Sequence, residues 1–521
     1  MTHIENLIIG AGPGGLQLAH DFKQHGRNYL VLEKAERAGD FFATYPRHRQ
    51  LISINKVYSD ARSRDEALRF DWNSLLCDND ELLFKNYNMN YFPPADDLVT
   101  MLNDFARFYE LDIKFNSEVT KVEHADDGYR VTMADGDTVT CNRLFVATGR
   151  WKPLVPGFAG AEFCENYDSF STDPADFENQ RVMIVGKGNS AFETADCLMN
   201  HTKSIHLCSP TPIRLAWKTH YVGHLRAVNN NLLDTYQLKS GNTILDAHVL
   251  SVTESEDGGF VVRVKYVHAE SQTRDIPVDR VLLCTGFQFD NSIFASDCIP
   301  EMTMGGKFPK IRSDWQSINQ PNMYFVGNLS HGLDYERTFS GFIHGFRYNS
   351  RALAHLFDHL YYGEKWKNRS VELDTASIMK ELLARVNDSS ALYQQPGFLG
   401  DVMVISAKDG TVQWYNDVPM AYVADNGWDS AEEYWTVVLD YGHDEAPEPF
   451  NIERFPHSKG GEDSTFLHPI LRRYRNGKMV SEHHISQDLE NDWNGPRFEV
   501  PLKAFLDREM EALGAQDVTL V

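Results

Sequence analysis

Two glycine-rich turns carry the most chemistry in this chain. Gly10, Gly12, Gly14 and Gly15 follow the apolar run Leu7-Ile8-Ile9, and Gly186, Gly188 and Ala191 follow Val182-Met183-Ile184-Val185. At this spacing the first glycine permits a tight turn, the second lets the backbone approach a pyrophosphate, and the third lets the ensuing helix pack on its strand. The same count onward from each first glycine ends on Glu33 in the first copy and Ser209 in the second. A carboxylate at that strand tip accepts hydrogen bonds from a ribose diol and repels a 2′-phosphate, whereas serine leaves room for one. The simplest assignment is FAD on the first turn, with Lys34 beside Glu33, and NADPH on the second, with Asn189 and Ser190 opening its helix. Arg214 and Lys218, just past the second strand, could donate to the 2′-phosphate or stand as solvated loop cations.

Other candidates follow from position. The stretch from Gly39 to Lys56 lies where the chain would wrap an isoalloxazine ring. There Arg47, His48 and Arg49 could offset charge on a reduced flavin, Asn55 could orient groups near its reactive centre, and Lys56 closes the run; ordinary salt bridges are the alternative. The loop Trp217-Lys218-Thr219-His220-Tyr221, with Asn229-Asn230-Asn231, would face a cleft between domains and shape the nicotinamide or substrate pocket, with His220 as its catalytic candidate; packing and turn residues are the alternative. His331, Asp334, Tyr335, Arg337 and His344 flank a later turn and serve either proton transfer or hydrogen bonding.

The elements that must position these groups repeat. His3–Ile9, Leu16–His25 and Asn28–Leu32 read as strand, helix and strand. A β-meander follows at 113–115, 119–124, 129–133 and 138–141, then a closing strand ending in Thr148-Gly149. The second unit runs through Ser204–Cys208, a meander at 247–252, 260–266 and 275–277, and a return strand ending in Thr285-Gly286. After it, Asn322 to Asn328 is a strand and tight turn that brings Gly327 and Asn328 to the first site. Gly341–His359, with Phe342 at its start, is a helix whose N-terminal dipole end would point at the flavin pyrimidine. The expected fold is α/β: two Rossmann-like domains, the NADPH domain (161–289) inserted in the FAD domain (1–160 and 290–368), and a small α+β domain over 369–521 that includes a helix at Thr375–Asn387.

Composition narrows the function. The 521 residues carry 74 acidic and 50 basic side chains, a net charge of −24, and are 42% hydrophobic. Such a surface repels nucleic acid and anionic bilayers. No run approaches the roughly 18 apolar residues of a membrane span, and the first strand begins almost at once, so a cytoplasmic address is expected. The seven cysteines, at 77, 141, 164, 197, 208, 284 and 298, form no C-x-x-C or C-x4-C pair, and a flavin-to-dithiol relay needs two adjacent thiols. No metal site is expected, and homo-oligomerisation is left open.

With both turns, both Thr-Gly returns and the glycine helix in place, the chain resembles the two-dinucleotide flavoproteins that include flavin-containing monooxygenases, N-hydroxylases and Baeyer–Villiger enzymes. Tyr45-Pro46-Arg47-His48-Arg49, Gly188 to Ala195, Thr219 to Gly223, Leu232 to Ser240 and Gly341 to Tyr348 look closer to the ER flavoproteins associated with degradation. So do Arg385-Val386-Asn387, Leu467-His468-Pro469 and His483-His484-Ile485. Those relatives carry a lumenal signal and a retention tail, and this chain ends in Asp517-Val518-Thr519-Leu520-Val521. The monooxygenase linker pattern F-x-G-x-x-x-H is broken, because Cys164 takes the histidine place after Phe158-Ala159-Gly160.

The resemblance implies FAD, a nicotinamide donor and the domain plan. Two nucleotide sites without a dithiol acceptor lead to the expectation of a single-component monooxygenase in which NADPH reduces the flavin, O2 adds at C4a, and the peroxyflavin hydroxylates a small or carrier-borne substrate at nitrogen or carbon. The alternative is a reductase or dehydrogenase passing electrons to a disulfide, quinone or protein partner, and a third reading is a redox-sensing scaffold.

Overall fold

The computed structural model describes residues 2–428, 430–442 and 461–517; the terminal Val518 to Val521 lie outside that range. The first sheet has the order β3-β2-β1-β6-β5-β4, built from β1 (Thr2–Ile9), β2 (Tyr29–Leu32), β3 (Ile113–Lys114), β4 (Val119–Ala125), β5 (Gly128–Met133) and β6 (Thr138–Val146). Helix α1 (Pro13–Gln24) joins β1 to β2. Two expectations change. Ile113-Lys114 pairs in parallel with β2 and so extends the nucleotide-binding sheet instead of opening the meander. The 138–141 segment and the closing strand are one continuous β6, which pairs with β5 at its start and β1 along its length.

A second sheet is built wholly within 165–283, with the order β12-β11-β10-β9-β8-β13-β7: β7 (Glu165–Asn166), β8 (Arg181–Val185), β9 (Ser204–Ser209), β10 (Thr243–Glu254), β11 (Phe260–Tyr266), β12 (Thr273–Val278) and β13 (Arg280–Leu283). Helix α2 (Asn189–Leu198) links β8 to β9. The chain then returns to the first sheet through β14 (Met323–Phe325), parallel to β6, and continues into α3 (Ile343–Tyr361). The second unit is therefore inserted in the first. Both parallel strand cores are runs of fully buried Leu, Ile and Val, as sheets covered by helices on both faces require.

The third unit is an antiparallel sheet, β15-β17-β16-β18-β19-β20: β15 (Asn368–Glu372), β16 (Leu399–Ser406), β17 (Thr411–Pro419), β18 (Glu433–Tyr441), β19 (Leu467–Arg475) and β20 (Lys478–His484). Strand alternation gives it two buried faces. Val402, Tyr415 and Tyr434 join the core of the first unit. Met403, Trp414 and Trp435 face the other way, against α4 (Thr375–Asp388) and α5 (Pro496–Asp517). The third unit is thus docked by its own core. Among the described residues, no helix is long and apolar enough to cross a membrane, and no group of three His, Cys, Asp or Glu side chains could hold a metal ion.

Candidate dinucleotide and redox site

The two glycine turns have the same local design. Gly10 (φ 105°) and Gly186 (φ 134°) adopt left-handed backbone that side-chain-bearing residues avoid, and each abuts the carbonyl of its return strand, Ala147 or Cys284. Gly12 and Gly188 differ: a Cβ there would meet nothing within 4 Å. Both cap helices whose first amides have no side-chain acceptor, so each turn presents bare N–H groups to open space, a cradle suited to an anion.

The first turn opens into a largely apolar cavity of about 420 Å³. Gly12 and Gly14 form one part of its wall, with Thr148, Gly149, Gly327 and Asn328 beside them and Phe342 with His344 at the start of α3. Asn189, Ser190 and Glu193 bring the start of α2 into the same wall. Three helix N-termini, all without side-chain caps, therefore converge on one cavity. Their dipoles favour negative charge there. The close approach of the turns is steric: a Cβ on Gly14 would lie 2.5 Å from the Cα of Gly327.

Glu33 is buried at the tip of β2. Its carboxylate accepts from the amides of Ala11 (2.7 Å) and Ala35 (2.9 Å), and burial raises its pKa despite those bonds. The remaining lone pairs suit a ribose diol. Lys34 lies outside, with Nζ 4.2 Å from the centre of the Trp151 ring. At the back of the cavity Trp72 stacks on His344 at 4.2 Å, and Arg226, bonded to the Ile52 carbonyl at 2.9 Å, sits 5.4 Å from the Trp72 ring. His344 is 1% exposed, with both ring nitrogens lacking a partner among the described residues. Burial, aided by Arg347 and Arg226, lowers its pKa far below the usual histidine value, so the ring is neutral. An orphaned buried polar group beside three bare helix ends is what a flavin site requires, and FAD fits these residues.

Aromatic rings from both nucleotide units line the front. Tyr45 stacks on Tyr167 (5.7 Å) and meets Phe287 edge-on (5.0 Å) and Phe41 (5.0 Å). Behind them Glu193 accepts a hydrogen bond from Asn229 at 3.3 Å. Burial, opposed by Asn229 and reinforced by Asp196, raises its carboxyl to about 7. No cysteine lines the cavity, and all seven are free thiols.

Several expected residues lie elsewhere. Arg47 donates to the carbonyls of Tyr167 (3.0 Å) and Phe170 (2.7 Å), tying its loop to the second unit. His48 bonds Thr194 at 3.2 Å, and burial with Arg47 nearby lowers it to about 4. Asn55 is buried and donates to the Asn88 and Asn90 carbonyls; Lys56 is exposed. His220 packs edge-on against Tyr441 of the third unit at 5.4 Å. None of these five candidates lines the cavity. Arg214 donates to Glu336 through Nη1 at 2.6 Å, with its side chain 53% exposed. Lys218 is exposed on a short helix, Ala216–Thr219. Gly15 packs α1 on the Gly10 carbonyl. Gly186, Gly188, Ser209, Thr285 and Gly286 stay at the second turn, outside the cavity wall.

Sequence reasoning missed Glu193, Trp72 and Arg226, which long-range packing assembles. It also missed Lys187, which pairs with Asp246, the register neighbour of Ser209. Only Glu193 left a local signal, as an acid one turn into the second nucleotide helix.

This fold and cavity define a two-dinucleotide flavoprotein architecture. The chain belongs to the pyridine nucleotide-disulphide oxidoreductase family, whose model matches residues 7–327, and it is an oxidoreductase. It is 36% identical to the FAD-dependent oxidoreductase domain-containing protein 2 of Mus musculus, over 97% of this chain and 84% of that one. Among solved structures it resembles the bacillithiol disulfide reductase Bdr (YpdA) of Staphylococcus aureus (TM-score 0.53, 19% identity, 69% of this chain and 100% of that one). It also resembles a flavin-containing monooxygenase from Stenotrophomonas maltophilia (TM-score 0.52, 18% identity, 70% and 100%). The last two likenesses concern the fold.

Proposed function

We propose that this chain is an FAD-dependent, NADPH-oxidising monooxygenase acting on a small or carrier-bound substrate. The observation that carries this reading is a cavity shared by the helix N-termini of both nucleotide units and lined by no thiol. FAD, when bound, accepts hydride from NADPH and activates O2. The amides around Gly12 would hold its pyrophosphate, Glu33 its ribose, and the start of α3 the negative charge that reduction places on the ring. Asn189 and Ser190 would orient the incoming nucleotide. The rings of Phe41, Tyr45, Tyr167 and Phe287 exclude water, which favours productive use of oxygen over its release as peroxide. Glu193, with a carboxyl near 7, can hold or give a proton at neutral pH.

The test is aerobic NADPH turnover with candidate amines, amino acids and carrier-bound substrates, scoring product against peroxide. Substrate-dependent product with little peroxide supports the reading. Stoichiometric peroxide with every substrate, together with anaerobic turnover on a disulfide or quinone, replaces it with the reductase.

A further inference from the structure

A cavity of about 680 Å³ lies away from the nucleotide site, on the seam between the first and third units. One wall is the C-terminal half of α1 with the middle of α3; the other is the approach to β15 and the end of β17. Both helices begin at the redox cavity, so the same two rods touch both sites.

Its charge is out of keeping with the chain. In a protein of net charge −24, four cationic side chains, Arg64, Arg351, Lys367 and Arg369, reach this one cavity together with His20, His25 and His355. Its three carboxylates are already engaged. Asp21 contacts His20 Nδ1 at 3.2 Å and accepts from Gln17 at 3.2 Å; Asp78 accepts from Tyr109; Asp417 accepts from Arg385 at 2.8 Å. Arg369 is committed, its Nη1 donating to Asn416 Oδ1 at 2.7 Å and its Nη2 paired with Glu381. Arg351 is held more loosely, with Nε 3.9 Å from Asp21, and Asp80, the partner of Arg64, is 68% exposed and screened by water. His20 is 4% exposed and its Nε2 has no hydrogen-bond partner among the described residues. Burial and the neighbouring His25 lower His355 to about 4, so that ring carries no charge at neutral pH.

Among the lining side chains four cations thus face three engaged carboxylates, in a half-open space large enough for a metabolite. We propose that this seam is a binding site for a small metabolite carrying an oxyanion group, phosphate or carboxylate, gripped by Arg351 and Lys367 with the guanidinium of Arg64 beside them. Its occupant bridges the first and third units. The inference does not depend on the identity of the redox reaction.

The test uses the FAD-replete full chain at constant ionic strength in chloride. Thermal unfolding is followed during separate titrations with inorganic phosphate and citrate, in the wild type and in the Arg351→Gln/Lys367→Ala variant. Both altered side chains are partly or fully exposed, and an unchanged flavin spectrum and NADPH oxidation rate establish that the variant is folded. The expected result is a saturable rise of about 2–4 °C in the wild type and an apparent Kd weakened at least about tenfold in the variant. A response to phosphate alone identifies a phosphorylated ligand, and one to citrate alone a carboxylate. No saturable response to either anion, or an equal response in the variant, overturns the proposal.

Discussion

The phenol oxygen of Tyr221 lies 2.9 Å from Nε2 of His331, joining the inserted nucleotide unit to the first one beside the redox cavity. His331 is fully buried and its Nδ1 faces Asp334 at 3.2 Å, which assigns the proton to Nδ1 and leaves Nε2 to accept from the phenol. Burial raises the Tyr221 pKa, so the phenol keeps its proton. Arg214 and His224 reach Glu336 alongside, at 2.6 and 3.5 Å.

Tyr221→Phe removes the donor and strands His331 Nε2 without a partner. The expected loss is about 1–3 kcal/mol of stability, read by thermal or denaturant unfolding. Because the same loop delivers Val222 and Arg226 to the cavity, flavin reduction by NADPH should also slow, measured anaerobically by rapid mixing.

Glu193 sets a pH dependence. With its carboxyl near 7, a step that takes its proton runs fully below that pH and declines above it. Glu193→Gln should flatten the descending limb and reduce the affected rate by roughly 10²-fold. The folded value lies above the ordinary 4.5, so the stability this carboxyl contributes is full below about 4.5, is lost as pH rises from there to about 7, and is gone above it. The glutamine variant should lack that contribution to the melting profile.

Gly14→Ala probes the pyrophosphate cradle. Its new Cβ would sit 2.5 Å from the backbone of Gly327, forcing apart the first turn and the strand end that together wall the cavity. The variant should purify with far less flavin than the wild type, as read from the ratio of flavin to protein absorbance.

The contrast between Gly14 and Asn55 shows what was legible in the residues. A glycine turn is a local device: its spacing, flanking strands and terminal acid or serine all lie within one stretch of chain, so the two turns, with the strand before and the helix after each, could be read directly, whereas the pairing of Ile113-Lys114 with β2 could not. The side chains that meet the reacting groups are chosen by tertiary packing. Asn55 looked suited to orient a flavin, but the carbonyls of Asn88 and Asn90 claim its amide. Arg47 is likewise consumed in joining two units, while Trp72 and His344 become a stacked pair only because distant segments meet.

The third unit depends on a buried ion pair. Arg385 binds Asp401 through Nε (2.6 Å) and Nη2 (2.8 Å), and Asp401 also accepts from Trp414 Nε1 at 2.8 Å. Asp401 is fully buried. Arg385→Met leaves its carboxylate uncompensated and should cost about 3–5 kcal/mol, seen as an earlier unfolding transition of this unit by hydrogen exchange while the flavin spectrum is retained.

The central claim is that a flavin held among Gly12, Glu33 and the start of α3 is reduced by a nucleotide arriving over α2. Anaerobic titration of the FAD-replete protein with NADPH, followed in the visible flavin band, tests it most directly. The account requires stoichiometric bleaching. A protein that binds no flavin when supplied with it, or a yellow one that neither NADPH nor NADH bleaches, contradicts it.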